Sequence, residues 1–151
     1  FVLGDSMLPN YENYDYLIIE KVSYKLRSPQ REDVVIFRPP VNLRAYYIKR
    51  VIGLPEETIK IEDGKIYVLN SEYPKGFLMN EAYLPLQSTP GNYEFKLNKD
   101  EYFVLGDNRD ESYDSRKWGP IHKQQIAGRV LIRVMPMREI VKIIKIGFAR
   151  Q

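Results

Sequence analysis

The sequence predicts a mainly β fold interrupted by a loop-rich insertion, and three observations support this prediction. Tyrosine and β-branched residues are dense, with 12 tyrosines among 151 residues. Several short runs have strand character, whereas helical periodicity is scarce before the last dozen residues. Residues 70–98 carry three prolines and two glycines among polar side chains, which is typical of loops. The length suits a single compact domain, or a small domain carrying an insertion.

The predicted strands follow one another along the chain. The first three lie in runs rich in tyrosine and β-branched residues, at residues 14–22, 33–38 and 45–52. Residues 58–68 then alternate apolar and polar on both sides of Asp63-Gly64. Because this pair tolerates the positive φ angles of a tight turn, the segment predicts a β-hairpin. The remaining predicted strands lie at residues 93–97, 101–105 and 126–135.

Composition and charge exclude several classes of function. The chain has no cysteine, which rules out disulfides, thiolate metal sites and cysteine nucleophiles. Its formal net charge is +3 with scattered lysines and arginines, so a nucleic-acid partner gains little support, while mild attraction to anionic membrane surfaces stays open. No apolar stretch is long enough to span a bilayer. Since the chain starts at Phe1, we expect any targeting or anchoring segment to lie upstream.

Ser6 is the first candidate for chemistry, in the segment GDSMLP at residues 4–9. A serine hydroxyl is a weak nucleophile and needs a neighbouring base. The segment is not the G-x-S-x-G elbow of α/β hydrolases, because Leu8 replaces the second glycine, and the chain contains no S-x-x-K box. Any activating base must therefore come from a distant segment. The alternative is an ordinary turn serine beside glycine and proline.

Two residues are candidates for that base. Lys49 lies inside a predicted strand, with Tyr47 and Val51 as neighbours on the same face. Burial there would lower its pKa. To act as a base near neutral pH, the lysine needs its pKa lowered by about three, which corresponds to roughly 4 kcal/mol of destabilisation of the charged form. Alternatively, the lysine extends to solvent. His122 is the sole histidine and lies in a polar connection, which indicates a surface residue.

Residues 106–116 form the densest polar run of the chain and follow an apolar predicted strand. The run lacks the glycine and terminal glutamate that an EF-hand calcium loop requires, and we predict no metal site. Two arginines interleaved with three aspartates suit an internal network of charge-assisted hydrogen bonds. A solvated surface turn is the alternative.

Four segments, taken in order, resemble the boxes of bacterial type I signal peptidases (leader peptidases): SMLP at residues 6–9, REDVVIF at 31–37, KRVIGLP at 49–55 and the run 106–116. The resemblance implies a signal-peptidase-like β fold built from antiparallel sheets with a small inserted subdomain. It implies a serine endopeptidase that needs no cofactor and cleaves secreted preproteins after a small-x-small sequence. The chain would then be the catalytic domain without its N-terminal membrane anchor, on the extracytoplasmic side.

The same resemblance assigns roles to individual residues. Ser6 is the nucleophile, Lys49 the general base, and Ser112 holds that lysine by a hydrogen bond. The Ser6 backbone N–H forms half of the oxyanion hole, and Gly4 offers a second backbone donor where some relatives have a serine hydroxyl. Four further residues form a supporting structural network: Asp107, Arg109, Asp114 and Arg116. Glu32 and Glu56 replace glycines usual in the family, at turns where a side chain penalises positive φ.

The expected organisation is a catalytic β core of residues 1–59 and 99–137, with residues 60–98 as a small inserted subdomain. Residues 138–151 are predicted to be a basic amphipathic tail, which meets a membrane surface, packs on the core or continues as a strand. Exposed Met7 and Leu8 would add apolar contact. The partners expected are signal peptides of preproteins and the membrane surface, with no nucleic acid.

Three alternatives stay open. One is another Ser/Lys peptidase of the self-cleaving repressor type, and the second is a catalytically impaired relative that serves as a binding or assembly module. The third is an enzyme with a triad built on Ser6 and His122.

Overall fold

A computed structural model of the chain describes residues 1–22, 24, 27–86 and 88–134. The predicted tail at residues 138–151 lies outside the described residues. Within them the strands are β1 (Tyr16–Glu20), β2 (Val34–Phe37), β3 (Tyr47–Gly53), β4 (Thr58–Glu62), β5 (Lys65–Leu69), β6 (Phe77–Leu78), β7 (Tyr93–Lys96), β8 (Glu101–Leu105), β9 (Ile121–His122) and β10 (Ile126–Val134). A short helix α1 (Ser115–Trp118) and a 3-10 turn (Lys123–Gln125) are the helical elements of the described part. The mainly β prediction is confirmed.

The strands form two antiparallel sheets. The larger has the order β1-β10-β2-β3-β8-β9, and the smaller has the order β6-β5-β4-β7. In the smaller sheet, Glu62 pairs with Lys65 across a turn whose two residues, Asp63 and Gly64, have φ angles of 51° and 75°. Positive φ at both central positions is the geometry for which Asp-Gly is favoured, so the hairpin prediction is confirmed.

The two sheets share a hydrophobic core. Ile52, Phe103 and Leu105 of the larger sheet pack with buried residues of the smaller sheet, which include Ile59 and Val68. A second cluster covers the opposite face of the larger sheet and includes Val35, Phe37, Val51, Tyr102, Val104 and Ile121. The smaller sheet is drawn from residues 58–96, and its assignment as an inserted subdomain at 60–98 stays a prediction.

This arrangement explains why β3 is buried along most of its length. Its neighbours are β2 and β8, and its successive residues Val51 and Ile52 enter the two different core clusters. A side chain on this strand therefore has little access to water, whichever face it occupies. Lys49 is part of this strand, opposite Val35 of β2.

Glu32 and Glu56 adopt the left-handed backbone conformation that favours glycine, with φ angles of 71° and 67°. The turns at these positions therefore keep the geometry of a glycine turn while carrying a side chain. Such a conformation costs on the order of 1 kcal/mol for a residue other than glycine. The Glu32 turn is held by its N–H, which donates to the Val51 carbonyl at 2.8 Å.

Candidate active site

Ser6 and Lys49 meet although 43 residues separate them in sequence. The Lys49 Nζ donates to Ser6 Oγ at 2.6 Å and to the Ile48 carbonyl at 3.0 Å. Lys49 is only 3% exposed, so the alternative in which it extends to solvent is wrong. When the amine is neutral, the same short contact allows Ser6 to donate its proton to Nζ, which is the geometry that a general base requires.

Burial lowers the pKa of Lys49 from 10.5 to about 8, because the charged ammonium loses its hydration. The negative charges of Asp114 and Asp107 oppose this effect, and the positive charge of Arg116 reinforces it. The pKa thus moves in the direction that the sequence predicted. A lysine with a pKa of about 8 is neutral in about one molecule in ten at pH 7 and in about half of the molecules at pH 8.

Gly106 lies directly against both serines of the site. A Cβ atom placed on Gly106 would come within 2.2 Å of Ser112 Oγ and 2.4 Å of the Ser6 carbonyl oxygen, so only glycine fits. The Ser6 carbonyl also accepts from the Asn108 N–H at 3.1 Å. Sequence reasoning assigned no role to Gly106. Its place between a buried strand and the polar run was the available signal.

Ser112 lies against Gly106, as Ser6 does, but it does not make the predicted bond. Its Oγ is buried and has no hydrogen-bond partner among the described residues, so the expected contact with Lys49 is absent from this structure. The physical reason is that Ser112 Oγ lies against Gly106, while Nζ already bonds to Ser6 and Ile48. The role of Ser112 in holding Lys49 stays a prediction.

The Gly4 N–H is occupied by another acceptor. It donates to Asn13 Oδ1 at 3.2 Å, and Gly4 has a φ angle of 90°. The oxyanion role of Gly4 stays a prediction. Service as a donor would require the bond to Asn13 to open. The oxyanion role of the Ser6 N–H stays a prediction.

Asp107 is the acceptor of a buried ion pair that sequence reasoning did not identify. Arg50 donates to it twice, at 2.8 Å through Nε and 2.5 Å through Nη2. Asn10 donates to the same carboxylate at 2.8 Å, and the Tyr83 ring lies 4.0 Å from the Arg50 guanidinium. Arg50 follows Lys49 on β3, so Lys49 and the arginine of this ion pair share one strand.

Asp114 and Arg116 form a second buried pair around the start of helix α1. The Asp114 carboxylate accepts from Arg116 Nε and Nη2, both at 2.9 Å, and from the Gly106 N–H at 3.1 Å. Arg109 forms a third ion pair, with Glu81. All four residues predicted to form a network thus lie in buried ion pairs, two of them within residues 106–112 and two just after this segment, which is called the 106–112 loop below.

A cavity of about 720 Å³ opens beside the Ser6–Lys49 pair. Most of its lining is apolar or aromatic and includes Val2, Leu3, Leu17, Ile36, Tyr47 and Ile48. Met7 does not contribute, since it is only 1% exposed, and the expectation of an exposed Met7 is wrong. The reason is that the backbone turns back at Tyr11, whose N–H donates to the Met7 carbonyl, and the Met7 side chain enters the interior.

His122 lies elsewhere, on the edge strand β9. Its Nδ1 is 3.0 Å from Asp100 Oδ2, and both side chains are exposed. Because Ser6 Oγ is paired with Lys49, the structure does not support a triad built on His122. In the part of the chain that the structure describes, no group of three or more histidine or acidic residues is arranged to hold a metal ion. Nor does that part contain a helix with the length and apolar character needed to cross a membrane.

A serine hydroxyl hydrogen-bonded to a buried lysine amine, beside an apolar cavity, has the geometry of a Ser/Lys hydrolase site. The comparisons with known proteins agree, because the family described as signal peptidase, peptidase S26 matches residues 1–135. The chain belongs to this family.

Similar proteins include the probable signal peptidase I-2 of Synechocystis, 38% identical over 145 residues that cover 91% of this chain. The signal peptidase I of Leptolyngbya laminosa is 36% identical and covers 93% of this chain and 70% of its own length. The chain spans 62% of the length of the Synechocystis relative. A crystal structure of a signal peptidase I from Enterococcus faecalis has a TM-score of 0.58 at 30% identity, covering 70% of this chain and 98% of that one.

Proposed function

We propose that this chain is the catalytic domain of a type I signal peptidase, a serine endopeptidase that removes N-terminal signal peptides from secreted preproteins. The observation that supports it most directly is the 2.6 Å contact between the Nζ of buried Lys49 and Ser6 Oγ. Membership of the signal peptidase family indicates the reaction and the class of substrate. The apolar cavity beside the pair supplies a place for the end of a signal peptide.

The proposed reaction is amide hydrolysis through an acyl-enzyme. Neutral Lys49 takes the proton of Ser6, and the Ser6 oxygen attacks the scissile carbonyl carbon. Backbone donors, including the Ser6 N–H, stabilise the negative charge on the carbonyl oxygen. The Lys49 ammonium then gives its proton to the leaving amine as the C–N bond breaks. A water molecule, deprotonated by Lys49, attacks the Ser6 ester and releases the signal peptide as an acid.

Substrate choice follows from the room beside the nucleophile. We expect shallow apolar pockets that accept alanine, glycine or serine one and three residues before the cut. A bulky side chain in a rigid pocket costs about 1–3 kcal/mol in overpacking. The small-x-small rule at signal-peptide ends matches this expectation.

The proposed setting is the extracytoplasmic side of a membrane. The support is chemical: a signal peptide is apolar, so its cleavage site emerges at a membrane surface. Two similar Arabidopsis proteins are named thylakoidal processing peptidases, of which one is 33% identical to this chain over 144 residues.

The direct test is cleavage of a purified preprotein with Ala-x-Ala before the mature sequence, followed by the intact masses of both products. We expect one cut after the second alanine, and no cut with the Ser6→Ala variant. The masses of the enzyme chain are recorded in the same samples. A self-cleaved chain beside an intact preprotein would contradict the proposal in favour of the repressor type, and two intact proteins would favour a non-catalytic module.

A further inference from the structure

A buried carboxylate outside the four motif segments connects to the 106–112 loop. Glu81 lies in the connection between β6 and β7, and its side chain is 4% exposed. A buried charge is costly unless it is paired and hydrogen-bonded. Glu81 is paired with Arg109, whose Nη1 and Nη2 both donate to its carboxylate, and the Tyr83 hydroxyl donates to it at 2.7 Å.

Arg109 joins this carboxylate to the backbone beside the nucleophile. Its Nε donates to the Gly106 carbonyl at 2.9 Å, and its own carbonyl accepts from Arg116 at 2.6 Å. Thr89 accepts a further bond from the same guanidinium, which is 3% exposed. The guanidinium plane therefore has little freedom to rotate, because its two Nη atoms are bound to Glu81 and Thr89 and its Nε is bound to the Gly106 carbonyl.

Gly106 in turn lies against Ser6 and Ser112. Its Cα faces the Ser6 carbonyl and Ser112 Oγ so closely that a Cβ would overlap both. Its N–H donates to Asp114 at 3.1 Å, one of the charges that act on Lys49. A displacement of Gly106 would therefore move the Ser6 backbone, and a misplacement of about 1 Å is able to reduce a rate 100-fold.

We propose that Glu81 is a positioning residue, which orients Arg109 so that Gly106 stays packed against the nucleophile. The inference rests on the proposed peptidase function. Glu81 touches neither reacting side chain, so its loss should lower kcat and leave KM nearly unchanged. The segment between β6 and β7 thereby takes part in building the active site.

A second buried carboxylate provides a matched control. Glu57 accepts two bonds from Arg31, at 2.6 and 2.9 Å, and further bonds from Leu54 and Asn70. It is also almost wholly buried, but the partners of its side chain among the described residues lie just before β2, just after β3 and just after β5, and none belongs to the 106–112 loop. Glu57→Gln should therefore weaken the fold as Glu81→Gln does, without displacing Ser6.

The kinetic experiment measures kcat and KM for preprotein cleavage by the wild type, Glu81→Gln and Glu57→Gln, with folding checked by circular dichroism. We expect kcat to fall at least tenfold for Glu81→Gln with KM within twofold, and kcat within twofold of wild type for Glu57→Gln. An unchanged kcat for Glu81→Gln, or an equal fall for both variants, would overturn the inference.

Amide hydrogen exchange gives a readout that does not depend on activity. The Asn108 N–H bonds to the Ser6 carbonyl and the Gly106 N–H to Asp114. We expect both amides to exchange at least tenfold faster in Glu81→Gln and at wild-type rates in Glu57→Gln. Wild-type rates in Glu81→Gln would refute the positioning role. A wild type that cuts no preprotein would refute the proposed function instead, while the exchange rates still decide the role of Glu81.

Glu81→Asp is measured alongside, in case the glutamine variant does not fold. It keeps the charge of the buried pair but shortens the side chain by one methylene, so it should fold and still move Arg109. We expect the same direction of change in kcat and in the two exchange rates. Wild-type values for both in Glu81→Asp would count against the inference.

Discussion

Replacing Lys49 with methionine should change how the stability of the fold depends on pH. Burial holds the pKa of Lys49 at about 8 in the folded protein, against 10.5 for a lysine in water. Between these two values the unfolded chain binds more protons than the folded one. The free energy of unfolding of the wild type should therefore rise as the pH increases from about 8 to 10.5.

The size of the effect follows from the pKa. At about 1.4 kcal/mol per pKa unit, the fall from 10.5 to about 8 corresponds to about 3 kcal/mol. Below pH 8 the wild type bears this whole cost, because the ammonium is buried in the folded state. Above pH 10.5 the cost is absent. Methionine has a similar length and no charge, so Lys49→Met removes this contribution to the pH dependence of the free energy of unfolding. The stability advantage of Lys49→Met over the wild type should therefore be largest at pH 7.

The assay is urea unfolding of wild type and Lys49→Met at several pH values from 7 to 10. Other titrating groups are common to both proteins, so the difference between them isolates Lys49. We expect the advantage of Lys49→Met to shrink by about 2–3 kcal/mol over this range. Lys99→Met, at an exposed lysine, is the control. Its difference from the wild type in free energy of unfolding should stay constant within about 0.5 kcal/mol over the same pH range. A flat difference for Lys49→Met would refute the argument that burial lowers its pKa.

Three further predictions concern the site and its turns. Gly106→Ala should lower kcat/KM on the order of 100-fold, because the alanine Cβ would come within 2.4 Å of the Ser6 carbonyl oxygen and displace the Ser6 backbone. A kcat/KM within twofold of the wild-type value would contradict this. Glu56→Gly should stabilise the fold by about 1 kcal/mol, because glycine adopts the φ angle of 67° at this position without strain, whereas Glu56→Ala should give no such gain. The midpoints of urea unfolding test this, and a loss of stability in Glu56→Gly would contradict the presence of backbone strain at Glu56. The kcat/KM of the wild type should rise tenfold per pH unit up to about pH 8 and then level off, because only neutral Lys49 accepts a proton. Lys49→Arg should be inactive since a guanidinium stays protonated, and an active Lys49→Arg enzyme would exclude the general-base role.

Much of the fold was predictable because its signals are local. The alternation around Asp63-Gly64 fixes both the hairpin and its register, and β8 occupies the predicted residues 101–105. The burial of Lys49 also follows from its position on a strand with neighbours on both sides. The choice of Ser6 and Lys49 as partners came from the resemblance of ordered motifs, since no local pattern joins residues 43 positions apart.

The rest depends on long-range contacts that leave no periodic signal. Arg50 is the partner of Asp107, 57 residues away, and no local pattern in the sequence indicates this pairing. Glu81 lies in a segment predicted as a loop, and its pairing with Arg109 appears only in three dimensions. Met7 was expected to be exposed beside Ser6, but the backbone returns on itself and buries the side chain.

The central claim is that Ser6 and Lys49 act as one unit, and one set of cleavage measurements tests it most directly. Preprotein cleavage is followed for Ser6→Ala, Lys49→Ala, the double variant and His122→Ala, each shown to be folded. We expect each of the first two to abolish cleavage, the double variant to be little worse than either, and His122→Ala to cleave at the wild-type rate. Cleavage retained by Lys49→Ala, together with its loss in His122→Ala, would contradict the account.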